Sequence, residues 1–403
     1  MIHFKIGLRK QISILLIAFL FVFLCSPFSF LLAADNAGAQ FSFNLAKVIL
    51  FILSIIYNVK VRVYCKMTLY VISYNIIYIL STLYSDGNLQ TALNVSIGIL
   101  GVYLWTEFFI CIMPNEFLRV FLNYMVIMIA ANLVTIIVFP SGLSTNLNNG
   151  YEVRLIGIDN SLASILYPTV IVSYIQYYRG WISKKKVKTL VIAIVITELL
   201  VLSATSLIGL IPILWGCHLL TQKNRKINFD FNLMTIVLTY LVVFYFVNVS
   251  LSNSAVMMFI ANIFHKSISF SGRTYIWARI LEILKSNVPL LGYGAYNKEL
   301  LRTIYFLPAN CHSFLFEILI DVGICGLVLF GYMFFAAYKK AIRYSSNNGE
   351  LSRCLLCYLA VILAMGIAEA TSTYLANFMF LAIFYHSDKM ELEETSHKEK
   401  VVQ

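Results

Sequence analysis

The chain has 403 residues, of which 60 % are hydrophobic and 12 % charged, and its mean hydropathy is +0.82. Soluble domains are nearer half apolar and a quarter charged, so this composition excludes one and describes an integral membrane body. The net charge of +11 would suit nucleic acid or anionic lipid, but its distribution along the chain points to topology instead.

At the N-terminus, basic residues precede about twenty apolar ones, a longer run than the core of a cleaved leader. The stretch "LLAAD" imitates a cleavage site, yet the length favours a retained first span over 11–32. Further runs able to cross roughly 30 Å of hydrocarbon fall near 43–59, 67–84, 91–113, 117–139, 161–178, 189–204, 206–220, 231–251, 313–336, 351–369 and 373–386. If both termini are cytoplasmic, the inner connections and the tail hold 22 of the 30 basic residues. Arg154, Lys266, Arg273, Arg279, Lys285, Lys298 and Arg302 lie outside, and Lys47 lies within a span. The positive-inside rule holds in this orientation and fails in the reverse one.

The expectation is an all-α polytopic helix bundle of about 12 transmembrane helices, one integral membrane domain over 1–403. The basic runs "SKKKVK" and "TQKNRK" are then topology signals, and nucleic acid is not an expected partner. The tail 387–403 reads as a solvated cytoplasmic end. Among the cysteines only Cys311 falls at an outer surface, so no disulfide framework is expected. Cys354 and Cys357 have CxxC spacing, but without a neighbouring His or Cys they read as packing residues. No internal repeat relates the two halves, which weighs against a carrier built from duplicated bundles.

Two external segments are long, Pro140–Asn160 and the extracytoplasmic loop 252–312 between the ninth and tenth spans. A long connection on one face of a tight bundle is where function concentrates. Within the second loop, "SGRTYIWARILEILKSNVPLLGYG" reads as a helix capped by Ser271 and ended by Pro289, Gly292 and Gly294. Trp277, Ile280, Leu281 and Leu284 make one stripe, with Arg279, Glu282 and Ser286 opposite, a pattern that suits a helix at the outer membrane boundary. Arg273 falls on the apolar side. It either snorkels to headgroups or points into a cavity to meet an anion, and a second external arginine, Arg154, favours the cavity.

Of six histidines, only His265 and His312 face outward. His312 opens the tenth span, where an imidazole can take a proton from a sugar hydroxyl; the alternative is an interfacial histidine bonded to a backbone carbonyl. Glu317 and Asp321 follow on one helix face, and carboxylates inside a membrane face the bundle interior. Glu317 lies about one turn below His312 and is placed to orient it or a neighbouring arginine. Asp321 reads as a packing residue, and Gly323 with Gly326 as a small-residue face for helix contact.

The stretch "HSFLFEILIDVGICG", with His312, Ser313, Gly323, Ile324 and Gly326, resembles the His-[Asn/Ser/Gln]-x9-Gly-[Ile/Val]-x-Gly signature of the O-antigen polymerase and ligase superfamily. The preceding Arg273, Trp277, Pro289, Gly292 and Gly294 resemble its Arg-x3-Trp, Pro-x2-Gly-x-Gly run. Arg154, Gly157, Asn160 and Ala163 resemble its Arg-x2-Gly-x3-Asn-x2-Ala pattern. One departure is "LSATSLIG", where the family often carries Ser-Arg; any phosphate contact made there must come from elsewhere, with Arg279 and Arg302 the candidates.

The resemblance implies a glycosyltransferase in the bacterial cytoplasmic membrane, with its active site on the outer face. The donor would be a glycan on undecaprenyl pyrophosphate and the acceptor a second lipid-linked glycan. A chain-length regulator and a flippase of the same pathway would be partners. His312, Arg273 and Arg154 are the expected catalytic set, with Arg279, Glu317, Asn160, Trp277 and Arg302 binding substrate. Arginine forks suit pyrophosphate oxygens, and with no cluster of metal-ligating residues on the outer side the chemistry is expected to use neither metal nor cofactor. A polymerase is favoured because nothing marks recognition of a lipid A core. Ligase is the alternative, and a polysaccharide flippase is kept open by Lys47, Glu107, Glu198 and Glu369.

Overall fold

A computed structural model describes residues 12–24, 36–145, 152–157, 159–201, 204–221, 229–250, 273–286, 288–295, 311–343 and 350–390. About 84 % of them are helical, and the fold is an all-α bundle. Helix α1 (Ile12–Leu24) is followed by α2 (Ala37–Val61), α3 (Lys66–Tyr84), α4 (Leu89–Ile112) and α5 (Pro114–Val138). Next come α6 (Ala163–Tyr178), α7 (Lys184–Val201), α8 (Ala204–Thr221), α9 (Phe229–Phe244) and α10 (Arg273–Ser286). The chain continues through α11 (Phe314–Asp321), α12 (Gly323–Arg343), α13 (Glu350–Gly366) and α14 (Leu375–Tyr385). The expected cap Ser271, Arg302 and the tail beyond Met390 lie outside the described residues.

Among the described residues, α2, α3, α4, α5 and α12 are long and apolar enough to cross a membrane, and several shorter apolar helices accompany them. The chain is a multi-pass membrane protein. Helix α4 is the hub, packed by α2, α3, α5 and α14, and its interior includes Tyr103, Trp105, Phe108 and Phe109. Trp105 stacks on Phe109, and Phe109 on Phe117 of α5. Helix α2 is peripheral and leaves Phe41, Ile49, Ile52 and Ile56 exposed. An apolar exposed face of this kind matches lipid as solvent, since lipid tails are as apolar as the side chains.

The tenth apolar run is not one helix. It breaks at Val322, and α12 restarts at Gly323 with φ +71°. The segment after α10 explains the break. Ile324 N–H donates to the Pro289 carbonyl and Cys325 N–H to that of Leu290, while Tyr293 and Gly294 N–H donate to Ile320 and Asp321 carbonyls. Loop backbone therefore satisfies groups that a helix break inside a membrane would orphan. A Cβ at Gly323 would sit 2.4 Å from Gly292 N, so this glycine serves loop-to-helix contact rather than the helix–helix face expected of it. Asp321 joins the same joint, its carbonyl accepting from Ser81 of α3 at 2.8 Å.

Helix α10 also differs from expectation. Trp277 and Ile280 are fully buried, with Leu281 and Leu284 packed against the protein core. Its apolar stripe faces the bundle and not the lipid boundary, while Arg279 and Glu282 remain exposed.

Candidate active site

Three elements meet at the mouth of α11. Arg273 is the first residue of α10, His312 stands in the turn before α11, and Glu369 lies in the non-helical connection after α13. Arg273 donates from a terminal nitrogen to Glu369 Oε1 at 2.6 Å, and His312 Nδ1 lies 3.6 Å from Glu369 Oε2. One carboxylate thus faces a guanidinium on one oxygen and an imidazole on the other. His312 is the most accessible of the three at 26 %, against 14 % for Arg273 and 9 % for Glu369. Burial alone would push the Glu369 carboxyl up, but His312 and Arg273 beside it hold it below the ordinary carboxylate value.

The backbone of His312 is held in the left-handed region, φ +46°, which few side chains adopt without support. That support comes from Cys311, one residue earlier. Its N–H donates to Glu317 Oε2 at 2.7 Å, and its carbonyl accepts from Trp277 Nε1 at 3.1 Å. Trp277 and Glu317 therefore grip the Cys311 residue from two helices and set the direction in which His312 points. Since Trp277 is one helical turn beyond Arg273, the same contact docks the N-terminus of α10 beside the histidine.

The Glu369 connection is equally pinned. Thr371 Oγ1 donates to the Ile362 carbonyl, Asn377 Nδ2 to the Thr371 carbonyl, and Asn248 Nδ2 to the Ile367 carbonyl. Tyr358 OH donates to Asn377 Oδ1 at 2.8 Å. At Gly366 a Cβ would stand 2.6 Å from the Phe314 Cβ, so the glycine brings the end of α13 against the start of α11, with Glu369 three residues on.

Arg154 is buried in the segment between α5 and α6. It donates to the Phe139 carbonyl at 3.2 Å and the Pro140 carbonyl at 2.5 Å, and pairs with Glu152 Oε2 at 2.5 Å. A short antiparallel hairpin, Ser144 with Val153 and Thr145 with Glu152, frames it. Asn160 begins the approach to α6, in the 3-10 turn Asp159–Leu162. Arg279 points outward and pairs with Glu282 at 2.7 Å, with Tyr275 OH at 3.3 Å from its Nε.

The structure thus brings together Arg273, His312, Trp277 and Glu317, and it adds Glu369, which sequence reasoning had placed among the charges of a carrier. The signal that would have found it is positional: Glu369 ends an apolar run at the face where His312 opens one.

An apolar cavity opens near the site. A cleft of about 410 Å³ starts at Phe314, two residues from His312, and runs between α9, α12 and α13 past Tyr240, Phe330, Phe334 and Leu363.

No curated protein matches the chain. The family model described as O-Antigen ligase matches residues 170–331. That interval contains Arg273, Trp277, His312 and Glu317, and it leaves out Arg154, Asn160 and Glu369. Members of that family are glycosyltransferase-like enzymes acting on glycans. The matched interval supplies both Arg273 and His312, which converge on Glu369, and over that interval the chain is similar to the O-antigen polymerase and ligase superfamily.

Proposed function

We propose that this protein polymerises lipid-linked oligosaccharide repeat units, using a polyprenyl-pyrophosphate donor on the outer face of the bacterial cytoplasmic membrane. The observation that carries this reading is the shared carboxylate: Glu369 faces Arg273 on one side and His312 on the other. A carboxylate behind an imidazole fixes the ring and stabilises the cation that forms when the ring accepts a proton.

In the proposed reaction, His312 Nε2 removes the proton of an acceptor sugar hydroxyl. The hydroxyl oxygen bonds to the anomeric carbon of the donor glycan. The bond from that carbon to the pyrophosphate oxygen breaks, and the pyrophosphate leaves with the electron pair. Arg273, with Arg154 as the expected second guanidinium, would stabilise the charge that develops on the leaving oxygens. No metal takes part in this scheme. The apolar cleft at Phe314 is of a kind that can accept the polyprenyl chain, and its position near His312 supports that use.

Twelve membrane crossings with cytoplasmic termini are part of this reading. It is supported by helices at all twelve expected places and by basic residues gathered at the end remote from His312. There Arg119 and Arg179 lie over the Trp181 ring, and Lys340 over that of Tyr385. Two of the charges that would serve a carrier have static partners: Lys47 donates to Asn94, and Glu107 accepts from Thr68.

The matching family's description favours a second reading, transfer of the glycan to a lipid A core. A deletion strain separates the two. Loss of polymer with one repeat still on the core means polymerase; loss of all attached glycan means ligase. Repeat units trapped on the cytoplasmic side would mean a flippase. For the chemistry itself, purified protein is given a synthetic polyprenyl-pyrophosphate-linked repeat. A ladder of longer products with release of polyprenyl pyrophosphate is expected. Absence of both from folded protein would sink the proposal.

A further inference from the structure

At the other end of α14 lies a second polar cluster, with Glu107 and His386 buried and Cys65 half-buried, and the mechanism above does not use it. Cys65 caps α3, Glu107 sits in α4, and His386 follows the last residue of α14. Cys65 Sγ lies 3.1 Å from Glu107 Oε1 and 3.8 Å from His386 Nε2, and that nitrogen lies 3.1 Å from the same Oε1. Thr68 Oγ1 is 2.8 Å and Tyr103 OH 3.1 Å from Oε1 as well.

One carboxylate oxygen has about two lone-pair directions. Here four donor-bearing groups crowd it, and even with Thr68 Oγ1 turned to Oε2 at 2.9 Å three remain for two directions. A cation among the three side chains removes that surplus, because the thiol loses its proton to become a ligand and the imidazole turns a lone pair inward. We propose that Cys65, Glu107 and His386 hold a divalent transition metal, zinc by ligand type, that fastens α14 to α3 and α4.

The three side chains form a triangle with edges of 3.1, 3.1 and 3.8 Å. Bonds of about 2.3 Å to sulfur and about 2.0–2.1 Å to nitrogen or oxygen in a tetrahedron require edges of roughly 3.3–3.6 Å. Movements of a few tenths of an ångström therefore complete one face. Tyr103 OH, also 3.7 Å from Cys65 Sγ, is placed to fill the fourth position or to hold a water there. One thiolate and one carboxylate balance a dication, so the buried site is neutral. A thiolate with imidazole selects a borderline or soft metal over magnesium or calcium. The outer contacts also fit: Thr68 steadies the carboxylate, and Cys111 Sγ lies 3.6 Å from the other histidine nitrogen. Because α14 runs from the Glu369 connection to His386, about 16 Å at 1.5 Å per residue, the metal would be structural and remote from the glycan chemistry.

The test uses full-length protein purified in detergent from cells supplied with zinc. Elemental analysis is expected to find one zinc per chain. Exchange with cobalt is expected to give a thiolate-to-cobalt charge-transfer band, and Cys65→Ser to abolish it. Glu107→Gln, which keeps the shape of the side chain but removes its charge, is expected to weaken zinc binding at least about tenfold. Cys357→Ser, at a buried thiol packed near Pro212, is the control and should keep the metal. Should the Cys65 variant fail to fold, the wild-type cobalt spectrum decides alone. Folded wild-type protein with neither zinc nor a thiolate–cobalt band would overturn the proposal and leave a hydrogen-bonded cluster.

Discussion

Arg273 reaches Glu369 across 96 positions of sequence, at 2.6 Å, and the other oxygen of that carboxylate faces His312. If the pair orients the histidine and stabilises its protonated form, removing only the charge is enough to disable it. Glu369→Gln is expected to lower turnover by about 10²-fold, the size of a lost general-base contribution, with KM changed far less. Glu369→Asp keeps the charge at a shorter reach and should recover part of the rate. Steady-state kinetics on membranes with matched amounts of protein check this; equal losses in both variants, or a loss explained by less folded protein, would reduce Glu369 to a structural role.

His312→Ala and Arg273→Ala are expected to abolish polymer while the protein still reaches the membrane. The double variant should be little worse than either alone, because groups acting as a unit are strongly non-additive. Normal-length polymer from the His312 variant would remove the general-base assignment. Since Glu369 is held below the ordinary carboxylate value, it stays ionised down through the mildly acidic range. An acid limb in the rate profile near neutrality therefore belongs to another group, and Glu369→Gln should lower the plateau without erasing that limb.

Trp277→Phe tests how the strained turn is held. The ring still fills its buried place, but the donor to the Cys311 carbonyl is gone. Leaving that buried carbonyl without its partner costs about 1–3 kcal/mol, and His312 at φ +46° is one residue away. The expected result is a lower melting temperature together with a fall in turnover larger than the loss of stability explains. A variant with wild-type turnover would show that Glu317 alone sets the turn.

The helices were legible because each apolar run is local information. The chemistry-bearing turn was partly legible: an outward histidine and an arginine on an apolar stripe each contradict lipid contact, so a shared interior was the economical reading, and Arg273 does face inward. Glu369 was not, because a carboxylate near the end of an apolar run looks the same whether it serves a carrier or a catalytic pair. The break at Val322 was also hidden, for the run through 313–336 is continuous in hydropathy. What makes it break is the distant Pro289–Gly294 backbone, whose contacts are set by tertiary structure.

That origin of the break gives a sharp contrast between two glycines of α12. At Gly323 a Cβ would lie 2.4 Å from Gly292 N and 2.5 Å from the Leu290 carbonyl oxygen, on a backbone at φ +71°; at Gly331 nothing stands within 4 Å. Gly323→Ala therefore meets backbone that cannot rotate away, and it is expected to cost several kcal/mol, in the range reserved for strain at a special conformation. Gly331→Ala is expected to be neutral or slightly stabilising, as alanine is preferred over glycine inside a helix. Thermal unfolding in detergent should separate the two widely. A Gly323 variant as stable as wild type would mean that the α10-to-α11 loop is not packed against the helix break as described.

Arg154→Lys separates two roles of this buried arginine. Its guanidinium spans the Phe139 and Pro140 carbonyls with one nitrogen and Glu152 with another. Lysine carries the same charge but as a point, and cannot hold both sides of the loop at once. If the arginine works through planar recognition, of its loop or of a pyrophosphate, activity is expected to fall by at least tenfold in the lysine variant. Glu152→Gln then distinguishes the two cases. Loss of activity there too assigns Arg154 to holding the loop, whereas retained activity leaves the fork for the leaving group. A fully active Arg154→Lys protein would mean that a single positive charge suffices at this position.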